Sequence, residues 1–189
     1  SLQATIQAMA LTVEVRDPCT SGHQRRVANL ARAIAAEMGM EQDLVEGVHV
    51  AGLIHDLGKI SVPAEILSKP TKLTEIELDL IRVHPKAGYD ILKEIEFQWP
   101  VAQIIYQHHE RLDGSGYPEG LKGAEICREA RVLAVADVVE AIASHRPYRP
   151  AKTIETALEE VWGKRGVLYD PQAAGTCLRL FREKGFRFE

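Results

Sequence analysis

A histidine and an aspartate stand side by side at the end of an apolar segment. Residues 48–54 run directly into His55-Asp56-Leu57-Gly58-Lys59. Burying an unpaired imidazole or carboxylate is costly, so such a pair is expected only where it flanks a cleft and binds something. Lys59 follows His55 by four residues and lies on the same helical face. The segment therefore predicts a metal or phosphate site. The alternative is an ordinary helix C-terminus with a glycine stop and a lysine that compensates the helix dipole.

More side chains of metal-binding types fall at predicted helix ends or inside apolar runs. Asp137 interrupts the apolar residues 132–139, where a carboxylate must be paired or bind a cation. The histidines stand beside glycine-rich or proline-bearing loops, and they are His23, His84, His108 and His109. Each of these side chains alone is compatible with a structural role, but their shared placement favours a single metal site with several ligands. His49 and His145 are expected to be structural and solvated, respectively.

Composition narrows the class of protein. The chain has 189 residues, 46% hydrophobic and 26% charged, and its net charge is −4. These values predict a single globular domain over residues 1–189 and disfavour a polymeric nucleic-acid partner. The three cysteines, an odd number without paired spacing, suit a reducing cytoplasm. No apolar stretch approaches the roughly 20 residues that span a bilayer, and no signal peptide is evident, so membrane insertion is not expected.

Helical periodicity without β-alternation predicts an all-α protein. Capping boxes are predicted at Ser21 with Gln24 and at Thr74 with Glu77. Asp113 to Gly120 is dense in turn formers and must be a loop. After an opening helix over 1–16, helices are predicted over residues 25–38, 42–57, 74–83, 85–94, 100–111, 130–144, 151–162 and 171–184, with a break at Arg146-Pro147.

The opening helix carries one apolar stripe, formed by Leu2, Ile6, Met9 and Val13. The first interpretation is that this stripe packs onto the domain's own core. The alternative is that the helix continues an upstream signalling helix, from a sensory or receiver domain, and pairs with a second chain in a homodimer.

At this point the residues match a known family. The chain resembles the HD-GYP subgroup of the HD-domain metal-dependent phosphohydrolases, and the resemblance covers nearly the whole chain in order. The most specific part is the run from His108 to Pro118. The matching strings are Arg16-Asp17-Pro18, Gly22-His23, His55-Asp56-Leu57-Gly58-Lys59-Ile60, Lys69-Pro70, His84-Pro85-Lys86-Ala87-Gly88, His108-His109-Glu110-Arg111-Leu112-Asp113-Gly114-Ser115-Gly116-Tyr117-Pro118, Ala136-Asp137 and Arg146-Pro147-Tyr148-Arg149.

The resemblance implies an HD-domain helical bundle with additional helices and a glycine-rich loop. It also implies hydrolysis of cyclic di-GMP to linear pGpG, and in some members on to GMP, by a hydroxide that bridges two metals. One metal would be held by His23, His55, Asp56 and Asp137, and the other by Asp56, His84, His108 and His109. Asp56 would bridge the two. Such nitrogen and oxygen ligands suit iron or manganese better than tetrahedral zinc.

The same resemblance assigns the substrate contacts. Lys59 would bind the phosphate and stabilise the developing charge, Arg146 would grip a phosphate, and Tyr117 would face the substrate. Arg149, within the same motif as Arg146, and Glu140 complete the predicted set. Glu140 stands where the family usually has aspartate, so its geometry is expected to differ. Glu110 and Asp113 are expected to orient the histidines or stabilise the loop.

Cys19 stands where three-metal members have glutamate, so two divalent ions per chain are expected. Two other functions remain compatible with the sequence. One is an HD phosphohydrolase with another phosphoester substrate, such as a related cyclic dinucleotide. The other is a catalytically weak module that senses the dinucleotide or binds a partner protein.

Overall fold

The computed structural model describes residues 1–146 and 148–189, the side chain of Cys19 excepted. Within these residues the chain forms ten α-helices and no β-strand, which confirms the all-α prediction. The break predicted at Pro147 and the metal count predicted from Cys19 concern residues outside this description. The helices are α1 (Leu2–Arg16), α2 (His23–Glu37), α3 (Gln42–Ile54), α4 (Ala64–Leu67), α5 (Glu75–Ile81), α6 (His84–Leu92), α7 (Val101–Gln107), α8 (Arg128–Ala143), α9 (Ile154–Gly163) and α10 (Pro171–Arg182).

The core is built around α2, which packs against both α3 and α8. Apolar residues of α2 recur every three or four positions, and Val27, Leu30 and Ile34 are fully buried. Gly52 of α3 faces α2 so closely that a Cβ atom there would lie 2.6 Å from the Cα atom of Ala28. The absence of a side chain at Gly52 therefore lets the two helices approach and brings their metal-binding residues together.

The first predicted capping box is wrong, and the second is confirmed. Helix α2 begins at His23 and has Gly22 at its N-cap without a side-chain cap. Instead of capping, the Gln24 amide donates to the Ala10 carbonyl (3.3 Å). The second box has both of its bonds, from the Glu77 amide to Thr74 Oγ1 (3.2 Å) and from the Thr74 amide to Glu77 Oε1 (2.9 Å).

Two helices end earlier than the apolar pattern predicts. Helix α3 stops at Ile54 rather than residue 57, and α7 stops at Gln107 rather than residue 111. In each case a histidine follows at the C-cap, and its ring nitrogen bonds to a carbonyl of the last turn. A side chain thus takes a carbonyl that a further turn of helix would have used.

The opening helix packs on the rest of the domain. Ile6 and Val13 are buried, Met9 packs against the core, and Leu2 is 44% exposed. The helix contacts α3 and the 3₁₀ turn Leu57–Ser61. The stripe is therefore core over most of its length, as the first interpretation proposed. Among the described residues, no helix is both long and apolar enough to cross a bilayer.

Replacing Gly52 by alanine tests the close contact between α2 and α3. The added methyl group would overlap the Ala28 backbone, so the free energy of unfolding should fall by about 1–3 kcal/mol. Gly163→Ala is the matched control, because a Cβ atom there meets nothing within 4 Å, and the change should be neutral or slightly stabilising. Urea unfolding measures both. Equal midpoints for the two variants would contradict the proposed packing.

Candidate metal centre

Three buried histidines share one local geometry. The Nδ1 atoms of His55, His84 and His108 lie 2.6, 2.7 and 2.5 Å from the carbonyl oxygens of the residues three positions earlier, Gly52, Ile81 and Ile105. A carbonyl can only accept, so each Nδ1 carries a proton, and in the neutral ring each Nε2 keeps its lone pair. All three Nε2 atoms are buried and have no hydrogen-bond partner among the described residues. Unsatisfied buried acceptors of this kind are what a metal site requires.

Gln24 makes this arrangement possible at His55. The backbone amide of Asp56 donates to Gln24 Oε1 (3.1 Å) and not to a carbonyl of α3. The Gly52 carbonyl is consequently available to the His55 ring. Gln24 also anchors α1 through the Ala10 carbonyl, so one buried amide ties the opening helix to the His-Asp pair.

The donor atoms gather into two neighbouring groups. His23, His55 and Asp137 offer one set of ligand atoms that lie within 4.8 Å of one another, and His84, His108 and His109 offer a second set. The geometry places Asp56 between them. Its Oδ2 atom lies 3.4 Å from His55 Nε2, and its Oδ1 atom lies 3.4 Å from His84 Nε2. One carboxylate thus faces both groups, as a bridging ligand must.

His23 is held by a carboxylate rather than by a carbonyl. Its Nδ1 atom bonds to Glu140 Oε2, while its Nε2 atom lies 3.1 Å from Asp137. Glu140 is fully buried, and its other oxygen accepts from Ser144 and from the Arg26 Nε and Nη2 atoms at 3.1 and 3.0 Å. A carboxylate behind a metal-ligating histidine fixes the ring's orientation and increases its basicity.

The electrostatics of the cluster differ from one ligand candidate to the next. Burial opposes the charge on His55, but Asp56 and Asp137 outweigh it and raise the pKa of His55 to about 9. Burial, together with the neighbouring His55, lowers the pKa of His108 to about 3, so His108 is neutral. Burial alone would raise the pKa values of Asp56 and Asp137, yet the surrounding histidines hold both well below the usual range. Asp56 and Asp137 are therefore ionised and His108 is neutral, whereas His55 would give up a proton when a cation binds.

A glycine allows the turn after Asp56 to meet α6. A Cβ atom on Gly58 would lie 1.8 Å from the His84 carbonyl oxygen, so a side chain at this position is excluded. The contact sets Asp56 against His84 and brings the two halves of the cluster together. The glycine that sequence alone could explain as a helix stop is thus required by tertiary packing.

The loop after the His pair is anchored by Glu110. This buried carboxylate accepts from the backbone amides of Glu119 (2.7 Å), Gly120 (3.2 Å) and Leu121 (2.9 Å). Gly116 lies against the chain at the His pair, where a Cβ atom would be 2.4 Å from the His109 carbonyl oxygen. The loop therefore folds back and stacks Tyr117 on the His109 ring, with centroids 4.9 Å apart. Of the two roles expected for Glu110, the geometry supports loop stabilisation.

A cavity of about 280 Å³ opens beside the cluster. Lys59, Tyr117, Arg146 and Arg149 all line it, as do the metal-site residues His23, Asp56, His84, His109 and Asp137. Lys59 Nζ lies 3.3 Å from Asp56 Oδ2. One wall is apolar, and it is formed by Ile66, Leu67, Leu73, Leu78 and Ile81. A polar floor with an apolar wall is the usual composition of a small-molecule site.

One predicted substrate contact needs correction, and a second residue of that set also has a structural role. Glu140 does not line the cavity, because it is fully buried behind His23 and both of its oxygens are bonded. Arg149 lines the cavity, but its guanidinium donates to the carbonyl oxygens of Ala141 (2.9 Å) and Ile142 (3.3 Å) near the end of α8. Arg149 therefore helps to satisfy carbonyls at the end of α8, where the Ile142 carbonyl also accepts from the Lys152 amide (3.1 Å).

Sequence reasoning assigned no role to Asp17 and misread Gln24. Asp17 is buried, lines the cavity, and has an Oδ1 atom without a partner among the described residues. Burial raises the pKa of Asp17, although Lys59 opposes that change. The only sequence feature that pointed to Asp17 was the Arg16-Asp17-Pro18 string. The sequence pattern also does not predict the apolar wall, because its five residues come together only through the packing of α4 and α5 beside the cavity.

Comparison with known proteins places these observations in a family. The HD domain model matches residues 7–173. The cyclic di-GMP phosphodiesterase response regulator RpfG of Xanthomonas campestris is 41% identical over 177 residues, covering 93% of this chain and 47% of that protein. The 3′3′-cGAMP-specific phosphodiesterase 1 of Vibrio cholerae is 39% identical over 150 residues, covering 79% and 35%.

A solved structure has the same fold. Bd1817, an HDG"Y"P protein from Bdellovibrio bacteriovorus, superposes with a TM-score of 0.70 at 20% identity, covering 85% of this chain and 51% of that one. The chain spans about half the length, or less, of the curated relatives it matches.

Replacing Glu110 tests the anchoring of the loop. Glu110→Ala leaves three backbone amides without their acceptor, so the free energy of unfolding should fall by about 2–4 kcal/mol. Glu110→Gln is the matched control, because its single oxygen can still accept from Glu119 and Gly120, and it should lose less than half as much. Urea unfolding measures both variants. A Glu110→Ala protein as stable as the unmodified chain would contradict the anchor.

Proposed function

The chain belongs to the HD domain family, in its HD-GYP subgroup, and from this membership we propose that it is a metal-dependent phosphodiesterase that hydrolyses a cyclic dinucleotide. The first substrate proposed is cyclic di-GMP, because the relative with 41% identity is named a cyclic di-GMP phosphodiesterase. The observation that carries the proposal is the set of three buried, unpartnered histidine Nε2 atoms around Asp56.

The proposed cofactor is a pair of divalent ions per chain, iron or manganese. His23, His55, Asp56 and Asp137 would hold one ion, and Asp56, His84, His108 and His109 the other. The donors are nitrogen and oxygen without a described thiolate in either group, which suits these metals. When bound, such ions lower the pKa of water and stabilise negative charge on a phosphate.

The chain's own cations would bind the phosphates. Lys59 lines the cavity beside Asp56, and Arg146 lines it as well. The Arg146 side chain makes no hydrogen bond or ion pair with another described residue. Its guanidinium is therefore free to donate to two phosphate oxygens at once, which a planar fork does better than an ammonium group.

The apolar wall and Tyr117 would hold the bases. The aliphatic side chains of Leu67, Leu73 and Ile81 would pack against a purine face. Tyr117 would present an aromatic ring whose orientation is fixed by stacking on His109. Burial raises the pKa of Tyr117, so its hydroxyl stays protonated and can donate a hydrogen bond.

In the proposed reaction, water adds to phosphorus and the bond from phosphorus to the ribose 3′-oxygen breaks. The departing oxygen takes a proton and becomes the 3′-hydroxyl of linear pGpG. A second hydrolysis of the same kind would give two molecules of GMP. Glu140 acts as a positioning residue here, because it holds the His23 ring through Nδ1 and leaves Nε2 for the ion.

A second substrate is proposed because one relative is a 3′3′-cGAMP-specific phosphodiesterase. The five apolar side chains of the wall would contact ring faces and have no hydrogen-bonding group to distinguish the guanine edge from the adenine edge. That wall is compatible with either cyclic dinucleotide.

Product chromatography tests the proposal, with Asp56→Ala as the inactive control. The unmodified chain, purified without oxygen, should contain two metals and convert cyclic di-GMP to pGpG. Asp56→Ala should lose the shared carboxylate, bind less metal and show no turnover. Near-normal turnover with full metal content in Asp56→Ala would contradict the dinuclear site. Tight binding of cyclic di-GMP without hydrolysis by the metal-loaded chain would instead identify a sensor.

Arg146→Ala tests phosphate binding apart from metal binding. A charge-assisted contact is worth about 1.5–3 kcal/mol, so kcat/KM should fall about ten- to hundredfold while the metal content stays unchanged. Arg165→Ala is the matched control, because Arg165 stacks on Trp162 and does not line the cavity. Loss of metal from Arg146→Ala would show that this arginine supports the structure of the site instead.

A further inference from the structure

A second cavity, of about 490 Å³, lies between α2, the start of α3 and the tail that follows α10. Its polar lining includes Arg26, Arg32, Arg187 and Asn29. The volume falls in the range of about 300–1,000 Å³ that small-molecule sites occupy. None of the residues that line it also lines the cavity beside the metal centre, so the two are separate.

The charge of this second cavity suits an anion. Arg32 and Arg187 form no ion pair with another described residue, while Glu189 is the only acidic side chain in the lining. Arg26 is the third guanidinium, and it is already bound to Glu140. Arg32 donates only to the Asn29 Oδ1 atom (3.5 Å) among the described residues, so Arg32 and Arg187 have no carboxylate partner there and favour a phosphate, which accepts bidentate hydrogen bonds.

The tail adds an aromatic surface next to these charges. Phe186 and Phe188 are half-buried, line the same cavity, and are held by edge contacts to Phe181 at 5.1 and 5.5 Å between centroids. Phenylalanine rings fixed beside arginines provide both halves of a nucleotide site, a stacking surface for a base and donors for a phosphate.

Arg26 connects this cavity to the metal centre. Arg26 lines the cavity, and its guanidinium donates to Glu140 Oε1 and to the Ser21 carbonyl (3.3 Å), while Glu140 Oε2 bonds to His23 Nδ1. An anion in the cavity would compete with Glu140 for Arg26. Its binding would therefore change the support of a proposed metal ligand without occupying the substrate cavity.

We propose that the cavity formed by Arg26, Arg32, Arg187, Phe186 and Phe188 is a second binding site, and that it takes a mononucleotide-sized phosphate ester with a planar base. Occupancy lowers turnover by drawing Arg26 away from Glu140. The binding itself is independent of the catalytic proposal, whereas the effect on turnover rests on it.

Methyl NMR distinguishes the two cavities. Ala33 and Ala36 line the second cavity, and Ile66 and Ile81 line the first, so their methyl signals report on separate sites. GMP titrated into the Zn²⁺-loaded full chain, which avoids paramagnetic broadening, should shift the Ala33 and Ala36 signals to saturation. Shifts confined to Ile66 and Ile81 would overturn the second site.

A double arginine variant and inorganic phosphate test which groups bind the ligand in the second cavity. Arg32→Ala/Arg187→Ala should weaken GMP binding at the alanine signals about tenfold or more, since two charge-assisted contacts are lost. Arg182→Ala is the control, because Arg182 does not line this cavity, and it should leave the affinity unchanged. Inorganic phosphate should bind more weakly than GMP at this site. Equal affinities would overturn the role given to the phenylalanines.

Steady-state kinetics test the connection through Arg26. GMP should reduce kcat for cyclic di-GMP in the unmodified chain, and this component should disappear in Arg32→Ala/Arg187→Ala, leaving only competition at the substrate cavity. The same loss of kcat in both proteins would overturn the coupling. If neither protein hydrolyses the substrate, the catalytic proposal fails while the alanine signals still decide the binding site.

Discussion

The structure depends on one recurring hydrogen bond, from a histidine Nδ1 to the carbonyl three residues before it. His55, His84 and His108 each follow closely on the end of a helix, where main-chain carbonyls lack a helical partner. The bond satisfies a carbonyl and simultaneously sets the tautomer of the ring. Each Nε2 then faces the interior with an unshared lone pair, in surroundings where an unpaired acceptor is costly. A bound cation would relieve that cost at all three positions.

The apolar bundle explains why so many polar groups can be buried together. Helices α2, α3 and α8 are locked by fully buried aliphatic side chains, and Gly52 and Gly58 permit approaches that a methyl group would prevent. The stability of this apolar packing holds charged groups at short distances. Asp56 and Asp137 consequently stay ionised beside neutral His108, although each would be unfavourable alone. The packing of the apolar helices alone thus brings these side chains together into a candidate metal site.

A surrounding layer of polar contacts connects this centre to distant segments. Gln24 links α1 to the amide of Asp56, Glu110 holds the glycine-rich loop by three backbone amides, and Glu140 joins His23 to Arg26. The contacts of Gln24 and Glu140 span 32 and 117 residues, whereas those of Glu110 close the loop that directly follows it. A displacement of α1, of the loop or of the residues at the second cavity would be transmitted to the proposed metal ligands through one buried side chain in each case. These side chains are Gln24, Glu110 and Glu140, respectively.

Much of this protein was readable from the sequence alone. Helical periodicity predicted the all-α class. The metal-binding residue types beside glycine and proline predicted the candidate donor atoms, because burying such side chains without a partner is unfavourable. What the sequence could not give was which residue satisfies which group. Gln24 looked like a helix cap and Glu140 like a substrate contact, because local spacing does not show that Asp56 lies beside one and His23 beside the other. Those contacts span 32 and 117 residues, and only the packing of α2 against α3 and α8 brings the partners together.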